Sequence, residues 1–360
     1  MPRKPEIGEP AKYKYQPVRY SHFDVVDPGT SLVLTADPWS YLTAWLSKEV
    51  SGSRGDNRKR LERAKYFAQL AKSFCEAATA LTLPSKGTLL YYGMLNLVKC
   101  FISVNGVDLE QGPEIHGCMV GEEEGHQIVI AGKPKKATSI FHEFARVLGT
   151  PPQGKAPLGL DQVLAQIPEI HEMAYTLRLL PNKERAFLPV TIDFLVNARH
   201  DKLFTEMRYQ KKQEARFPNI QFLSGSRKTY FKQMPEADGW VVFRSKRKKA
   251  LTKTNWETVY ANIRREYIRF NLFSILTPEG YKYYCNLSEP TYHQLCYTLM
   301  FFFFIGTVTR YRPSQTEKLL VGELAPLLTE AATICPQQML YQLVSMTTGR
   351  ICVKPHAMLR

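Results

Sequence analysis

Leu272-Phe-Ser-Ile-Leu-Thr-Pro-Glu-Gly-Tyr-Lys-Tyr-Tyr-Cys-Asn-Leu287 decides how the chain is read. Two apolar and aromatic runs flank Thr277-Pro278-Glu279-Gly280, where proline presets a turn and glycine tolerates positive φ. The stretch predicts a β-hairpin. Upstream, Ala186-Phe-Leu-Pro-Val-Thr-Ile-Asp-Phe-Leu-Val196, Ile220-Gln-Phe-Leu223 and Trp240-Val-Val-Phe243 have the same strand character. Residues 186–289 therefore form a β-rich middle, and from Pro290 to about Thr348 the pattern is helical. Helices, then strands, then helices predict an α+β fold in which an N-terminal helical hairpin and a C-terminal helical bundle flank a basic β-rich region.

Working outward, residues 37–110 predict helices. Asp37 can cap, Pro38 suits a first helical position, and Trp39, Leu42 and Trp45 or Leu46 share a face. After a polar loop at Ser51–Asp56, Leu61, Ala64, Ala68, Ala71, Cys75 and Ala78 recur at helical steps, and these small residues admit a close neighbour. Leu89 to Ile102 is a second apolar helix that Asn105-Gly106 would end. Residues 111–185 are mixed. Ile115–Val120 and Gln127–Ala131 predict a hairpin around acidic Gly121–Gly125, and helices follow near Ile140–Leu148 and Leu160–Leu179, the latter interrupted by Pro168. Residues 1–36, with Pro2, Pro5, Pro10 and Pro17, predict an extended arm, wrapped on the domain or loose. In the C-terminal region, 290–360, Leu295–Val308 is apolar on every side. Its fourteen residues fall short of the roughly 20 that a bilayer needs, so it predicts a core helix packed with the N-terminal helices and no membrane span.

Charge gives the functional lead. Lys202 to Arg269 holds seventeen Lys and Arg against six acids, +11 of the chain's +15, interleaved with aromatics such as Phe204, Tyr209, Phe222, Trp240 and Trp256. Cations neutralise phosphates and rings stack on bases, so nucleic acid is the expected partner, with an acidic protein as the alternative. The densest run, Arg244 to Lys253, directly follows Trp240–Phe243 and reads as a strand opening into a basic loop. The expected contacts are Arg244, Lys246, Arg247, Lys248, Lys249 and Lys253, helped by Lys211, Lys212, Arg264 and Arg265. A second patch, Arg58, Lys59, Arg60, Arg63 and Lys65, opens the helix at 61–78, where cations oppose the macrodipole. No apolar run follows the N-terminal charges, and the seven widely spaced cysteines read as reduced thiols. A cytoplasmic protein is expected, with no cofactor and no metal site.

Ala64-Lys-Tyr-Phe-Ala-Gln-Leu-Ala-Lys-Ser-Phe-Cys-Glu-Ala-Ala78, Pro84-Ser-Lys-Gly-Thr-Leu-Leu-Tyr-Tyr-Gly-Met-Leu-Asn-Leu-Val-Lys99, His116-Gly117 and Thr309-Arg-Tyr-Arg-Pro313 together resemble the YaaC-like family of bacterial proteins, over about Arg60 to Leu343. The resemblance implies a bacterial origin and, since some members lie in mobile-element or phage-defence neighbourhoods, a protein partner encoded nearby. It implies no established reaction.

Candidate chemistry is sparse. His116 before Gly117 could line a pocket or simply bond backbone at a tight turn. Arg310 and Arg312 could hold phosphate, although a cation leaving a helix C-terminus also satisfies its last carbonyls. Arg350-Ile-Cys-Val-Lys-Pro-His356 formally matches the Arg/His spacing of HEPN-type ribonucleases, but Gly349 and Pro355 oppose the shared helical face that this chemistry wants. Ser224-Gly225-Ser226 reads as a flexible turn. No P-loop, dinucleotide fingerprint or nucleophile elbow occurs. The expectation is a binding subunit without catalysis, with a HEPN-like metal-independent ribonuclease and a scaffold docking an acidic protein as alternatives.

Overall fold

The computed structural model describes residues 8–23, 32–121, 126–152, 154–180, 185–217, 220–252 and 254–355. The chain is α+β and divides into two compact units. A sheet unit takes residues 1–33, 184–289 and 349–353, and a helical unit takes residues 34–183, 290–348 and 354–360. In chain order, the first part holds β1 (Glu9–Pro10), α1 (Pro38–Gly52), α2 (Gly55–Thr79), α3 (Ser85–Val104), β2 (Cys118–Val120), β3 (Gln127–Ile130), α4 (Ile140–Val147), β4 (Ala156–Gly159), α5 (Leu160–Leu164) and α6 (His171–Leu177). The second part holds β5 (Phe187–Val196), β6 (Lys202–Gln210), α7 (Gly225–Tyr230), β7 (Phe231–Gln233), β8 (Trp240–Ser245), β9 (Lys249–Ala250), α8 (Trp256–Ile268), β10 (Leu272–Thr277), β11 (Gly280–Asn286), α9 (Gln294–Tyr311), α10 (Pro313–Val321) and α11 (Ala325–Thr348).

In the helical unit, α3 packs against α2, α9 and α11. Asp37 caps α1, its Oδ1 accepting from the Ser40 N–H at 3.1 Å, with Pro38 at the first helical position. The small stripe of α2, Leu61, Ala64, Ala68, Ala71 and Ala78, is buried. Gly93 of α3 completes that contact, because a Cβ there would lie 2.5 Å from Cys75 Sγ. Helix α9 is buried on all sides along most of its length. It meets α3 at Gly306, where a Cβ would fall 2.5 Å from Tyr91 Cβ and 3.2 Å from the Gly87 carbonyl. Among the described residues α3 alone is a single helix long and apolar enough to cross a membrane, and 72% of that stretch is buried within the protein. The predicted hairpin at 115–131 is β2–β3, and β4 joins it as a third antiparallel strand that the sequence did not mark.

The sheet unit is built on the order β7-β8-β6-β5-β11-β10, with β1 added to β5 and β9 to β6. Thr277↔Gly280 closes the predicted β10–β11 hairpin. Residues 8–23 of the arm lie against the sheet: Glu9 pairs with Val196 and Pro10 with Leu195, and Tyr260 Oη donates to the Arg19 carbonyl while accepting from the Ser21 N–H. On one face Ile192, Phe194, Leu203, Met207, Val241 and Phe243 pack beneath Tyr260, Ile263 and Tyr267 of α8. Neither β6 nor α8 was anticipated. The charges of Lys202, Glu206 and Arg208 mask the two-residue alternation of β6, and α8 lies inside a segment dominated by strand signals. Ile220–Leu223 is not a strand, and Phe222 instead stacks on Phe243 with ring centroids 4.1 Å apart. Ser224-Gly225-Ser226 is the start of α7.

Alanine gains about 1 kcal/mol over glycine in a helix interior, but Gly306→Ala should still lose about 1–3 kcal/mol in urea unfolding, because neither Tyr91 Cβ nor the α3 backbone can yield freely. Gly52→Ala, with nothing within 4 Å of the new Cβ, should be neutral or stabilising. Glu169, beside α11, has a buried Oε2 without a hydrogen-bond partner among the described residues, and burial pushes its carboxyl up to about 7. The folded state then holds a proton that the unfolded state has released, so stability should fall as pH rises from about 4.5 to 7 and level off above. Glu169→Gln should remove that slope, worth up to about 3 kcal/mol, in melts run across this window.

Candidate nucleic-acid interface

The register of β6 sorts the basic stretch. Strand β8 ends at Ser245, whose Oγ accepts the Thr205 N–H at 3.1 Å, and β9 returns to pair with Lys202–Leu203. The connection, Lys246-Arg247-Lys248, is thereby pinned at both ends with all three residues exposed. Lys246 is tied further to α7, its N–H donating to the Tyr230 carbonyl and its Nζ to the Lys228 carbonyl at 2.7 Å. Beside this connection lies the β5–β6 turn. Asn197 Oδ1 accepts from the N–H groups of Asp201 and Lys202, and its Nδ2 donates to Asp201 Oδ1 at 2.7 Å. Asn197, Ala198, Arg199, Asp201, Lys202 and Lys248 line a cavity of about 300 Å³ there. One end of the sheet thus presents exposed Arg199, Lys202, Lys228, Lys246, Arg247 and Lys248. The acids beside the turn are Asp201, bonded to Asn197, and Glu9, whose Oε2 lies 3.4 Å from His200 Nε2.

Most of the other predicted contacts have partners within the protein. Arg244 pairs with Glu206 at 2.6 Å, both side chains largely buried, and its guanidinium lies 4.8 Å from the Phe204 ring centroid. The pair sits in a row of facing residues, Lys232, Arg244, Glu206 and Asp193, on the face opposite α8. Lys249 pairs with Glu266 at 2.9 Å. Lys211 pairs with Glu236, and Lys212 follows it at the far end of β6, about 26 Å along the strand from Leu203. Arg264 Nη1 donates to the His22 carbonyl at 3.3 Å and Arg265 to Asn262, both on α8. Lys253 lies outside the described residues. Arg199, Lys202 and Lys228 were missed because each stands apart from the densest run. The aromatics are also spent: Phe204, Tyr209, Phe222, Phe231, Phe243, Tyr260 and Tyr267 are all core residues. This end of the sheet offers cations rather than stacking platforms.

Three cations of the second basic patch are ion-paired on their own helix and nearby loop. Arg58 pairs with Glu62, Lys59 with Asp56, and Arg63 with Asp108 and Glu110, while Arg60 donates to Asn57.

In the helical unit three separated segments converge. His116 Nδ1 lies 2.7 Å from the Tyr91 hydroxyl. Gly117 has φ +86°, and a Cβ there would lie 2.1 Å from Ser139 Oγ, so the glycine fixes the turn that presents His116. Arg310 Nε donates to the Gly306 carbonyl at 2.8 Å, Nη1 donates to the Tyr92 hydroxyl, and the guanidinium lies 5.8, 5.0 and 4.8 Å from the rings of Tyr91, Tyr92 and Tyr311. Arg312 bonds the carbonyls of Gly121, at 2.7 Å, and Val120, which ties α9's end to β2. Burial, then Lys99 and Arg310, hold the His116 imidazole below its ordinary range, with Glu114 opposing. Burial pushes the Tyr91 phenol up.

Tyr91-Tyr92, His116-Gly117 and Thr309–Arg312 are segments on which the family resemblance rests, and residues 35–347 match the family model described as YaaC-like protein. The chain belongs to the YaaC-like family. The matched span of this YaaC-like protein contains the sheet from β5 to β11 and the His116 group, and begins at the end of the arm. Neither the search of curated proteins nor that of solved structures returned a match.

Arg350 follows α11 and Gly349 at φ +64° and directly precedes the short strand Ile351–Val353. Residues 350–355 therefore form no helical face, and His356 lies outside the described residues. Among the described residues no three His, Cys, Asp or Glu gather as metal ligands, and the seven cysteines are free thiols.

Arg244 and Arg247 should separate cleanly in experiment. Arg244→Ala leaves Glu206 unpaired in a mostly buried setting and should cost about 1–3 kcal/mol in denaturant melts, while Arg247→Ser, at an exposed turn, should stay within about 0.5 kcal/mol of the parent.

Proposed function

We propose that this YaaC-like protein binds the phosphate backbone of nucleic acid through one end of its sheet unit, as a non-catalytic cytoplasmic subunit of a bacterial assembly. The observation that carries the reading is the register of β6, which brings Arg199, Lys202 and Lys248 around one cavity and sets Lys246, Arg247 and Lys228 beside it. Six exposed cations on a firmly paired framework can neutralise successive phosphates and release their counterions. Such contacts position a strand without choosing a sequence. Since the rings of the basic stretch are mostly packed in the core, the reading favours backbone recognition of a duplex over stacking on single-stranded bases. A place in defence against mobile DNA, with a partner encoded nearby, rests on the family resemblance alone.

The test is a fluorescence-anisotropy titration of duplex DNA across a salt series. Replacing Lys246, Arg247 and Lys248 together with Ser should weaken binding and reduce the slope of log K against log salt by about 2 to 3. Lys211→Ser with Lys212→Ser, at the other end of β6, should leave the slope near that of the parent. An unchanged slope in the triple variant would sink the assignment, and absence of binding at low salt would turn the surface over to an acidic protein.

A further inference from the structure

The group around His116 has a feature that helix capping does not explain. Arg310 at the end of α9 needs only the Gly306 carbonyl to serve as a cap. Instead its guanidinium is held against three tyrosine rings, its Nη1 is fixed by the Tyr92 hydroxyl, and among the described residues it has no carboxylate partner. Lys99, on the same helix as Tyr91, carries the second nearby positive charge. It pairs with Glu114, so the group as a whole keeps a surplus cation.

Hydrogen-bond accounting then fixes the state of the imidazole. Tyr91 is 1% exposed, and its hydroxyl has one hydrogen-bond partner among the described residues, His116 Nδ1. A buried phenolic O–H left undonated costs about 1–3 kcal/mol, so the phenol donates and Nδ1 accepts. The ring proton of the neutral imidazole then sits on Nε2. His116 is exposed, and no described residue engages that nitrogen. What the group offers a ligand is therefore mainly donors: the imidazole Nε2–H, the remaining Arg310 N–H groups and the Lys99 ammonium, which also pairs with Glu114 and lies 5.3 Å from the Phe67 ring centroid. The imidazole is anchored on the Tyr91 phenol and the guanidinium on a stack of rings.

We propose that His116, Arg310 and Lys99 form a second ligand site, independent of the basic end of the sheet, that takes a phosphoryl group. The planar fork of Arg310 suits phosphate oxygens, and a neutral imidazole N–H adds a directional donor. An incoming dianion also meets a positive potential that Glu114 does not cancel. The phosphoryl group could belong to a free nucleotide or to the end of a nucleic acid.

Nitrogen-15 histidine NMR of the full chain tests this directly. The His116 ring should show the neutral Nε2–H pattern, and inorganic phosphate at millimolar concentration should move its resonances saturably while chloride at matched ionic strength does not. Arg310→Lys keeps the charge but loses the fork and should weaken the response about tenfold or more. Lys99→Gln should weaken it as well, and unmoved resonances of the remaining histidines would certify that each variant is folded. Adenosine monophosphate and a 5′-phosphorylated oligonucleotide, compared with its 5′-hydroxyl form, identify which source of phosphate is preferred. Repeating the phosphate titration on the Lys246, Arg247, Lys248→Ser protein keeps the two proposals apart, since the His116 response should persist there whatever happens to duplex binding. A His116 resonance indifferent to phosphate, or one responding equally in Arg310→Lys, would overturn the site.

Discussion

The missing side chain at Gly306 is the constraint on which the helical unit turns. It lets α9 lie against α3 with Tyr91 Cβ where a Cβ of its own would be. That closeness sets Tyr91 between two groups distant in sequence, Arg310 one helical turn beyond Gly306 and His116 on the turn after α3. A wider crossing would still bury apolar surface, but it would separate the guanidinium from the rings that orient it. Packing and site geometry here share one cause, a backbone contact permitted by glycine.

In the sheet unit the corresponding role belongs to strand register. Because side chains alternate along a strand, β6 sends Leu203, Met207 and Tyr209 to the core under α8 and Glu206 and Arg208 to the other face. There Arg208 meets Asp193 at 2.9 Å and stacks on Trp240, and Arg244 meets Glu206. These two cations are engaged by carboxylates of the sheet itself. The six exposed cations of the proposed interface gather where β5, β6 and β8 end, so the proposal concerns the sheet's end and not the basic stretch as a whole.

Much of the architecture was legible. Asp37-Pro38, Asn105-Gly106 and Thr277-Pro-Glu-Gly280 are local chemical signals, and each marks a boundary where the structure has one. The fully apolar Leu295–Val308 likewise reads as the buried α9. Strand β6 was hidden because charged residues on its outer face break the apolar alternation. The candidate sites were legible only as ingredients. Linear density grouped Lys211 with Lys246, yet β6 holds them at opposite ends, and nothing in the sequence told that Arg244 would find Glu206. Conversely His116 and Arg310 carry weak signals alone and gain meaning only beside Tyr91.

The pairing of β1 with β5 reaches further than its two residues suggest. Glu9 faces Val196, so the sheet recruits the beginning of the chain across the intervening α1 to α6. During synthesis Glu9 and Pro10 must wait, unpaired, until β5 has been made. Such non-local closure raises contact order and slows folding relative to a helical bundle built from sequence neighbours such as α2 and α3. The order of assembly is thereby written into the topology: local helices first, and the sheet with its basic end only after its distant strands have met.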